Sequence, residues 1–290
     1  MLLKEKLTAY SDLIRLNRPI GIFLLLWPTL WALFLSAEGK PDIFILTIFT
    51  LGVILMRSAG CAINDFADRN YDGNVSRTKH RPIVTGKVSA FEAILIFVVL
   101  SVTSFLLVLF FLNTLTLQIS IVAVLLAATY PFTKRLHYLP QVHLGIAFAW
   151  AIPMAFVAQT NQFPPPWGWL LFIITILWTT AYDTIYGMID RKDDIKIGIK
   201  STAILFGSAD RLIIGVLQVF VLLGLISIGI QTELRYWYFC SLGLVTLFFI
   251  YQQILINHRH PRDCLEAFLN NNYVGMIVFF GIMASFWLPI

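Results

Sequence analysis

Nine long apolar segments constrain the fold of this chain more than any other feature of its sequence. Each is long enough to cross a hydrocarbon core, which takes about 20 predominantly apolar residues in a helix. Only 13% of the residues are charged, far fewer than the roughly 25% that is usual in soluble domains. The sequence therefore predicts an all-α polytopic membrane protein with nine transmembrane helices. The predicted spans are 19–37, 43–63, 91–112, 115–132, 141–159, 168–189, 211–230, 236–256 and 272–289.

Lysine and arginine are distributed unevenly between the connections. Of the 21 basic residues, all but Lys40 and Arg235 lie at the N-terminus or around the connections after the second, fourth, sixth and eighth spans, with Arg57 assigned to the second. Because cytoplasmic loops are enriched in lysine and arginine, we expect a cytoplasmic N-terminus and an external C-terminus. Topology then explains the net charge of +5, and no nucleic-acid partner is expected.

An acidic stretch follows the second apolar run. Asn64, Asp65, Asp68 and Asp72 are spaced so that a helix would place them on one face. Like charges at this spacing repel each other unless a cation lies among them. Oxygen ligands without histidine or cysteine suit a hard divalent ion. The pattern therefore predicts a Mg²⁺ site.

A second acidic stretch repeats this spacing. The pair Asp68 and Asp72 recurs as Asp190 and Asp194 after the sixth span. Asp183 is expected on the face of Asp190, about two helical turns away, whereas the neighbouring Asp193 could equally be a surface residue.

The repeat also predicts how the chain is organised. Internal duplication is common in polytopic membrane proteins, and the site then lies where the halves meet. We expect a single domain, 1–290, made of two pseudo-repeated halves, about 15–135 and 141–260, and a final helix.

Basic residues share the predicted face with the carboxylates. A carboxylate-lined metal site surrounded by cations fits a polyanion such as diphosphate, although each cation could equally be a topology anchor. Within an apolar bundle, such a site suits a polyprenyl diphosphate, which has a charged head and a hydrocarbon tail. The residues considered are Arg69, Arg77, Lys79, Arg81, Lys134, Arg135, Lys196 and Lys200, of which Lys134 and Arg135 end the segment that begins at Tyr130.

The two acidic stretches together resemble the signature of the UbiA-type intramembrane aromatic prenyltransferases. Further stretches, over essentially the whole chain, are similar to family members that prenylate 4-hydroxybenzoate in ubiquinone synthesis. These stretches are Arg18-Pro-Ile-Gly21, Leu26-Trp-Pro-Thr-Leu-Trp31, Arg57-Ser-Ala-Gly-Cys61, Tyr182-Asp183-Thr184, Lys196-Ile-Gly-Ile-Lys-Ser-Thr202, Tyr251-Gln-Gln253 and Asn270-Asn-Asn-Tyr-Val-Gly275.

The resemblance implies a fold and an activity. Nine helices would surround a central cavity that opens sideways to lipid, in a bacterial inner membrane. The loops after the second and sixth helices would form a cytoplasmic cap. The implied reaction transfers a polyprenyl group from polyprenyl diphosphate to the ring carbon of 4-hydroxybenzoate ortho to the hydroxyl, with Mg²⁺ as cofactor and membrane lipid as the surroundings.

The resemblance also implies roles for individual residues. Two Mg²⁺ ions would be contacted by Asn64, Asp68, Asp190 and Asp194, with Asp65 and Asp72 in support. The substrate would be bound by Arg69, Arg77, Tyr130, Lys134, Arg135 and Lys196, with Arg135 the candidate for the acceptor's carboxylate. The residues expected to be catalytic are Asp190, Asp183, Arg69 and Arg135. Either Asp183 or the released diphosphate would remove the ring proton.

Three other interpretations stay open. The first is a related membrane prenyltransferase with another acceptor, such as a naphthoate or haem. The second is a CDP-alcohol phosphotransferase, but the segment Asp72-Gly-Asn-Val-Ser-Arg77 lacks the two later aspartates of that pattern, since Ala90 and Ile94 stand in their places. The third is an ion-coupled transporter, in which membrane aspartates relay ions; the acidic residues here lie at helix ends instead.

Overall fold

The computed structural model describes residues 3–288, and the regular structure in that range is helical. The α-helices are α1 (Leu3–Leu13), α2 (Ile20–Ser36), α3 (Ile43–Asp68), α4 (Ala90–Phe111), α5 (Thr114–Leu136), α6 (Pro140–Ala149), α7 (Ala151–Thr160), α8 (Pro166–Ile197), α9 (Thr202–Phe206), α10 (Asp210–Gln231), α11 (Tyr236–Leu255) and α12 (Pro261–Trp287). Short 3-10 helices cover Asp72–Asn74, Gly207–Ala209 and Ile256–His258.

Among the described residues, eight helical stretches of at least 18 residues are apolar enough to cross a membrane, and α2 is a shorter apolar helix of 17 residues. The long stretches are α3, α4, α5, α6 with α7, α8, α9 with α10, α11 with the 3-10 turn after it, and α12. The prediction of an all-α polytopic membrane protein is therefore confirmed. The exact number of nine crossings stays a prediction.

Local sequence explains where several helices begin and break. The side chain of Asp42 accepts hydrogen bonds from the backbone N–H groups of Phe44 and Ile45, and caps the start of α3. The side chain of Asn113 accepts a hydrogen bond from the backbone N–H of Thr116 and caps the start of α5. Pro153 lacks an N–H for the carbonyl of Ala149, so the helix breaks between α6 and α7.

The helices form a ring that closes when α12 packs against α2. Indole N–H groups stabilise this closure: Trp27 donates to Asn272 Oδ1 at 2.9 Å and Trp31 donates to the carbonyl of Gly275 at 3.0 Å. At the opposite end of the bundle from the acidic residues, Trp287 donates to the carbonyl of Gly39 at 2.8 Å. A large apolar core lies between these helices, and it includes fully buried aromatic residues on α2, α8 and α11.

Several predicted boundaries were wrong, because charged residues were taken to end the helices. The last span was predicted at 272–289, but α12 already begins at Pro261, and residue 289 lies outside the described range. The helices α3 and α8 continue to Asp68 and Ile197, beyond the predicted ends at 63 and 189. Arg57 was assigned to a connection, but it lies inside α3. A helix can run on past the apolar core, where charged side chains meet water.

Candidate active site

A cavity of about 480 Å³ lies at the end of the bundle where α3, α5 and α8 terminate. Most of the predicted site residues line it, although they come from distant parts of the chain. These residues are Asn64, Asp65, Asp68, Asp72, Arg77, Tyr130, Lys134, Asp183, Asp190 and Asp194. The structure thus brings both acidic stretches into one site.

Three other predicted site residues do not line the cavity. Arg69 is exposed and its guanidinium lies over the ring of Phe66 at 4.3 Å. The side chain of Lys196 is 73% exposed, and its nearest charged partner is Asp193, at 3.3 Å. Arg135 donates to the carbonyl of Ala67 and does not line the cavity.

The acidic residues of the first stretch are buried, and basic side chains pair with them. Asp65 and Asp68 are only 1% and 2% exposed. Asp65 Oδ1 accepts from Arg15 Nη2 at 2.8 Å and lies 3.0 Å from Arg81 Nη1. Lys134 forms a short ion pair with Asp68. The pairing neutralises carboxylates that would otherwise repel one another.

Asp72 lies on the 3-10 helix after α3, so the expectation that it shares a helical stripe with Asn64 was wrong. It still reaches the cavity, where Asp72 Oδ2 lies 2.6 Å from Arg81 Nη1. Burial raises the pKa of Asp72; Arg81 opposes this rise, and the carboxylates of Asp68 and Asp65 add to it. Burial is thus the main cause of the rise, and the neighbouring carboxylates reinforce it.

Arg77, in the segment that follows the first acidic stretch, pairs with the second acidic stretch. Its Nε lies 3.1 Å and 3.0 Å from the two oxygens of Asp190, and its Nη1 donates to the hydroxyl of Tyr186 at 2.5 Å. The guanidinium also lies over the ring of Tyr186, 4.6 Å from its centroid. These contacts hold the end of α8 against the segment that follows α3.

A smaller apolar pocket of about 140 Å³ adjoins the cavity, and Arg57, Gly60, Tyr130 and Leu144 line both spaces. Its walls come from α2 to α7 and are almost entirely apolar. A ligand with a charged head and an apolar tail can therefore place its head among the ion pairs and part of its tail in this pocket.

Comparison with known proteins shows which family this chain belongs to. The model of the UbiA prenyltransferase family matches residues 25–280. The chain belongs to the UbiA prenyltransferase family. This membership confirms the resemblance, and it separates the chain from the CDP-alcohol phosphotransferases and the transporters.

Curated UbiA relatives match the chain over nearly its full length. The chain is 58% identical to a 4-hydroxybenzoate octaprenyltransferase from Aliivibrio fischeri over 281 residues, 97% of this chain and 98% of the relative. It is 55% identical to the protein of the same name from Vibrio vulnificus over 284 residues, 98% of this chain and 99% of the relative.

Solved UbiA structures share the fold. A UbiA homologue from Aeropyrum pernix superposes with a TM-score of 0.81 at 27% identity, over 91% of this chain and 97% of that one. A UbiA homologue from Archaeoglobus fulgidus bound to GPP and Mg²⁺ superposes with a TM-score of 0.74 at 16% identity, over 95% and 99% of the two chains.

The residues of this UbiA site fit a hard metal ion that shares its ligands with a phosphate group. Within residues 3–288, no three histidine, cysteine, aspartate or glutamate side chains are arranged to hold one metal ion. Mg²⁺, however, usually takes only one or two carboxylates together with substrate phosphates. One suitable ligand is Asp68 Oδ1, which is buried without a hydrogen bond, although Arg135 Nη2 lies 3.5 Å away.

Sequence reasoning assigned no role to Arg57, which the structure places on the cavity wall. Its Nη1 lies 2.9 Å from Cys61 Sγ, its guanidinium lies 5.9 Å from the ring centroid of Phe148, and its Nε is buried without a partner among the described residues. The position of Arg57 before the acidic stretch was visible in the sequence, but it was interpreted as topology anchoring. An arginine inside an apolar helix is itself a sign of function.

Proposed function

We propose that this protein transfers a polyprenyl group from polyprenyl diphosphate to the ring carbon of 4-hydroxybenzoate ortho to the hydroxyl, in ubiquinone biosynthesis. The observation that carries the proposal is the cavity, in which both acidic stretches and several cations surround a space that continues into an apolar pocket. The names of the relatives with 55–58% identity support the choice of acceptor and an octaprenyl donor.

The diphosphate head is bound at the polar end of the cavity. Arg77, Arg81 and Lys134 all line this end, and each is already close to a carboxylate. Guanidinium groups bind phosphate oxygens through paired, charge-assisted hydrogen bonds. These cations stabilise the negative charge that grows on the diphosphate as its bond to the prenyl carbon breaks.

Asn64, Asp68, Asp190 and Asp194 would hold Mg²⁺ at this end of the cavity, with Asp65 and Asp72 behind them. Bound Mg²⁺ supplies electrostatic neutralisation of the leaving diphosphate. The family homologue that binds GPP and Mg²⁺ supports this choice of ion. The side chains of Asn64 and Asp194 line the cavity and form no hydrogen bond with the rest of the described chain, so their oxygens are free to act as ligands.

Two side chains suit the acceptor. Arg57 has an unpaired Nε and contacts Phe148, so it can bind the carboxylate of 4-hydroxybenzoate beside an apolar wall. Asp183 lines the same cavity and forms no hydrogen bond or ion pair within the described residues. Arg57 and Asp183 line the same cavity, so both can face one small acceptor.

The proposed chemistry is an electrophilic aromatic substitution. The bond between the allylic carbon and the diphosphate oxygen breaks, and the electron pair leaves with the diphosphate. The ring carbon ortho to the hydroxyl attacks the allylic carbon and forms the new carbon–carbon bond. Asp183 then accepts the ring proton, which restores the aromatic ring. Apolar walls around the allylic end exclude water, which would otherwise capture the cation.

The proposal includes an orientation and a division into halves. The site faces the cytoplasm in the bacterial inner membrane, with the N-terminus on the same side and the C-terminus outside, as the distribution of lysine and arginine predicts. Two pseudo-repeated halves, about 15–135 and 141–260, each contribute one acidic stretch, and the final helix closes the ring.

The experiment that tests the proposal is incubation of the full-length protein in membranes with 4-hydroxybenzoate and a set of prenyl diphosphates, with and without Mg²⁺. Mass spectrometry should detect prenylated 4-hydroxybenzoate only in the presence of Mg²⁺. Parallel reactions contain a naphthoate or haem as the acceptor. Product from one of these and none from 4-hydroxybenzoate would replace the proposed acceptor.

A further inference from the structure

Arg15 has an unusual backbone conformation directly after α1. Its φ of 58° lies in the left-handed region. The N–H of Arg15 donates to the carbonyl of Asp12, and the N–H of Leu16 donates to the carbonyl of Ser11. This is the helix-ending pattern in which glycine usually takes the left-handed position. An arginine here costs on the order of 1 kcal/mol in backbone strain, so its side chain is expected to have a use.

The side chain of Arg15 reaches the wall of the cavity. Its Nη2 donates to Asp65 Oδ1 at 2.8 Å, and the same oxygen lies 3.0 Å from Arg81 Nη1. Asp65 is therefore a buried carboxylate that holds two guanidinium groups, and both of them line the cavity. Arg15 lines the same cavity as Tyr186 and Arg77, which belong to the polar end.

Contacts other than this ion pair also attach α1 to the bundle. Ala9 and Leu13 are buried in a small apolar cluster with residues of α3 and α4. On the same face of α1, Lys6 forms an ion pair with Glu92, and the hydroxyl of Tyr10 donates to Glu92 Oε1 at 2.7 Å. The position of Arg15 over the cavity is thus not explained by the docking of the helix alone.

We propose that Arg15 is a further diphosphate-binding residue, and that Asp65 is a positioning residue that holds Arg15 and Arg81 towards the diphosphate instead of supporting a metal ion. The inference rests on the proposed function because it requires a prenyl diphosphate in the cavity. It assigns the segment before the first spanning helix to the substrate site, and it separates the role of Asp65 from that of Asp68.

The test measures binding by the purified full-length protein in detergent, without any acceptor. The probe is a prenyl diphosphate analogue in which sulfur replaces the bridging oxygen, titrated by calorimetry with Mg²⁺ present. Arg15→Gly keeps the left-handed backbone free of strain and removes the guanidinium, so the dissociation constant should rise about tenfold. Arg15→Lys should recover part of this loss.

Asp65→Asn should weaken binding of the analogue by a similar factor. The double variant Asp65→Asn with Arg15→Gly should bind no more than about twofold more weakly than either single variant, because both act through the same contact. If Asp65→Asn fails to fold, Arg15→Gly and Arg15→Lys still decide whether Arg15 binds the diphosphate.

Arg259 provides a matched control. It also has a left-handed backbone, with a φ of 55°, and it forms an ion pair with a buried aspartate, Asp210, at 2.7 Å. Neither residue lines the cavity. Arg259→Gly should therefore leave the dissociation constant for the analogue within about twofold of the wild-type value, although the lost ion pair lowers the melting temperature.

A second measurement distinguishes the positioning role of Asp65 from a role in metal binding. The affinity for Mn²⁺ is measured by electron paramagnetic resonance, with the analogue at a saturating concentration. Asp65→Asn should leave the affinity for Mn²⁺ within about twofold, whereas Asp68→Asn should lower it about tenfold or more. Equal weakening by both variants would overturn the role given to Asp65.

Unchanged binding of the analogue by Arg15→Gly would overturn the role given to Arg15. Failure of the wild-type protein to bind the analogue would instead contradict the proposed function, on which the inference depends. The two failures are thus distinguishable in the same titration.

Discussion

Arg77 and Asp190 form an ion pair across the bundle, with Arg77 Nε 3.1 Å and 3.0 Å from the two carboxylate oxygens. The two residues lie 113 positions apart, one after α3 and one near the end of α8. Their contact joins the two acidic stretches into a single site. It also places a cation beside Asp190, a carboxylate that is proposed to bind Mg²⁺.

Loss of the Asp190 carboxylate should abolish turnover. In Asp190→Ala, Arg77 loses its partner and the proposed metal site loses a ligand, so kcat should fall by roughly 100-fold or more. Initial rates are measured over a range of Mg²⁺ concentrations, and excess Mg²⁺ should not restore activity. Asp193→Ala is the control, because Asp193 does not line the cavity and its loss should change the rate little. Normal activity of Asp190→Ala at high Mg²⁺ would refute the role of Asp190.

Arg57 and Arg135 are rival candidates for the carboxylate of the acceptor. Arg57→Met should raise KM for 4-hydroxybenzoate about tenfold or more, while KM for the prenyl diphosphate changes little. Arg135→Met should change KM for 4-hydroxybenzoate much less, since Arg135 does not line the cavity. The opposite ranking in steady-state kinetics would return the role to Arg135.

Asp183→Asn should separate chemistry from binding. The amide keeps the shape of the side chain but accepts a proton poorly, so kcat should fall by about 100-fold with KM for both substrates nearly unchanged. Single-turnover measurements check this split. A wild-type rate in this variant would assign proton removal to the released diphosphate.

A larger side chain in the apolar pocket should select against long prenyl chains. Gly52 lines the pocket, and a Cβ there would meet only Ser104 Oγ, at 3.8 Å. Gly52→Leu can therefore fold and fill part of the space. We expect kcat/KM for octaprenyl diphosphate to fall about tenfold, with a smaller loss for geranyl diphosphate. Gly243→Leu is the control, because a Cβ at Gly243 meets nothing within 4 Å. An equal fall in kcat/KM for both donors would show that the prenyl tail does not occupy this pocket.

Removal of divalent metal should stop the reaction without unfolding the protein. The fold is held by helix packing and by ion pairs such as Arg81 with Asp72, so a chelator should change the melting temperature little. Activity should disappear with the chelator and return when Mg²⁺ is added in excess. Turnover that persists after exhaustive chelation would contradict the proposed metal dependence.

Much of the site could be predicted because its chemistry is unusual in so apolar a sequence. Asp68 and Asp190 stood out as carboxylates at the ends of apolar runs, and the structure places both on one cavity. Spacing alone could not show that Asp72 leaves the helix, because the same spacing fits a continuous helix; the structure instead ends α3 at Asp68 and pairs Asp72 with Arg81.

The residues that were missed share a physical reason. Arg57 and Arg15 are basic, and basic residues near helix ends were explained by topology. Their distinguishing features are the missing partner of Arg57 Nε and the left-handed backbone of Arg15, and neither is visible in a one-dimensional pattern. The helix α1 was missed because it is too short and too polar to resemble a membrane span.

The ring of helices has a consequence for biogenesis. The indole of Trp27 on α2 bonds to Asn272, which follows it by 245 residues. At about 5–20 residues per second, the second helix therefore waits on the order of 10 to 50 seconds for its partner during synthesis. In a nascent chain that stalls before α12 inserts, the indole N–H of Trp27 would lack this partner. Such a chain would be a natural substrate for membrane quality control.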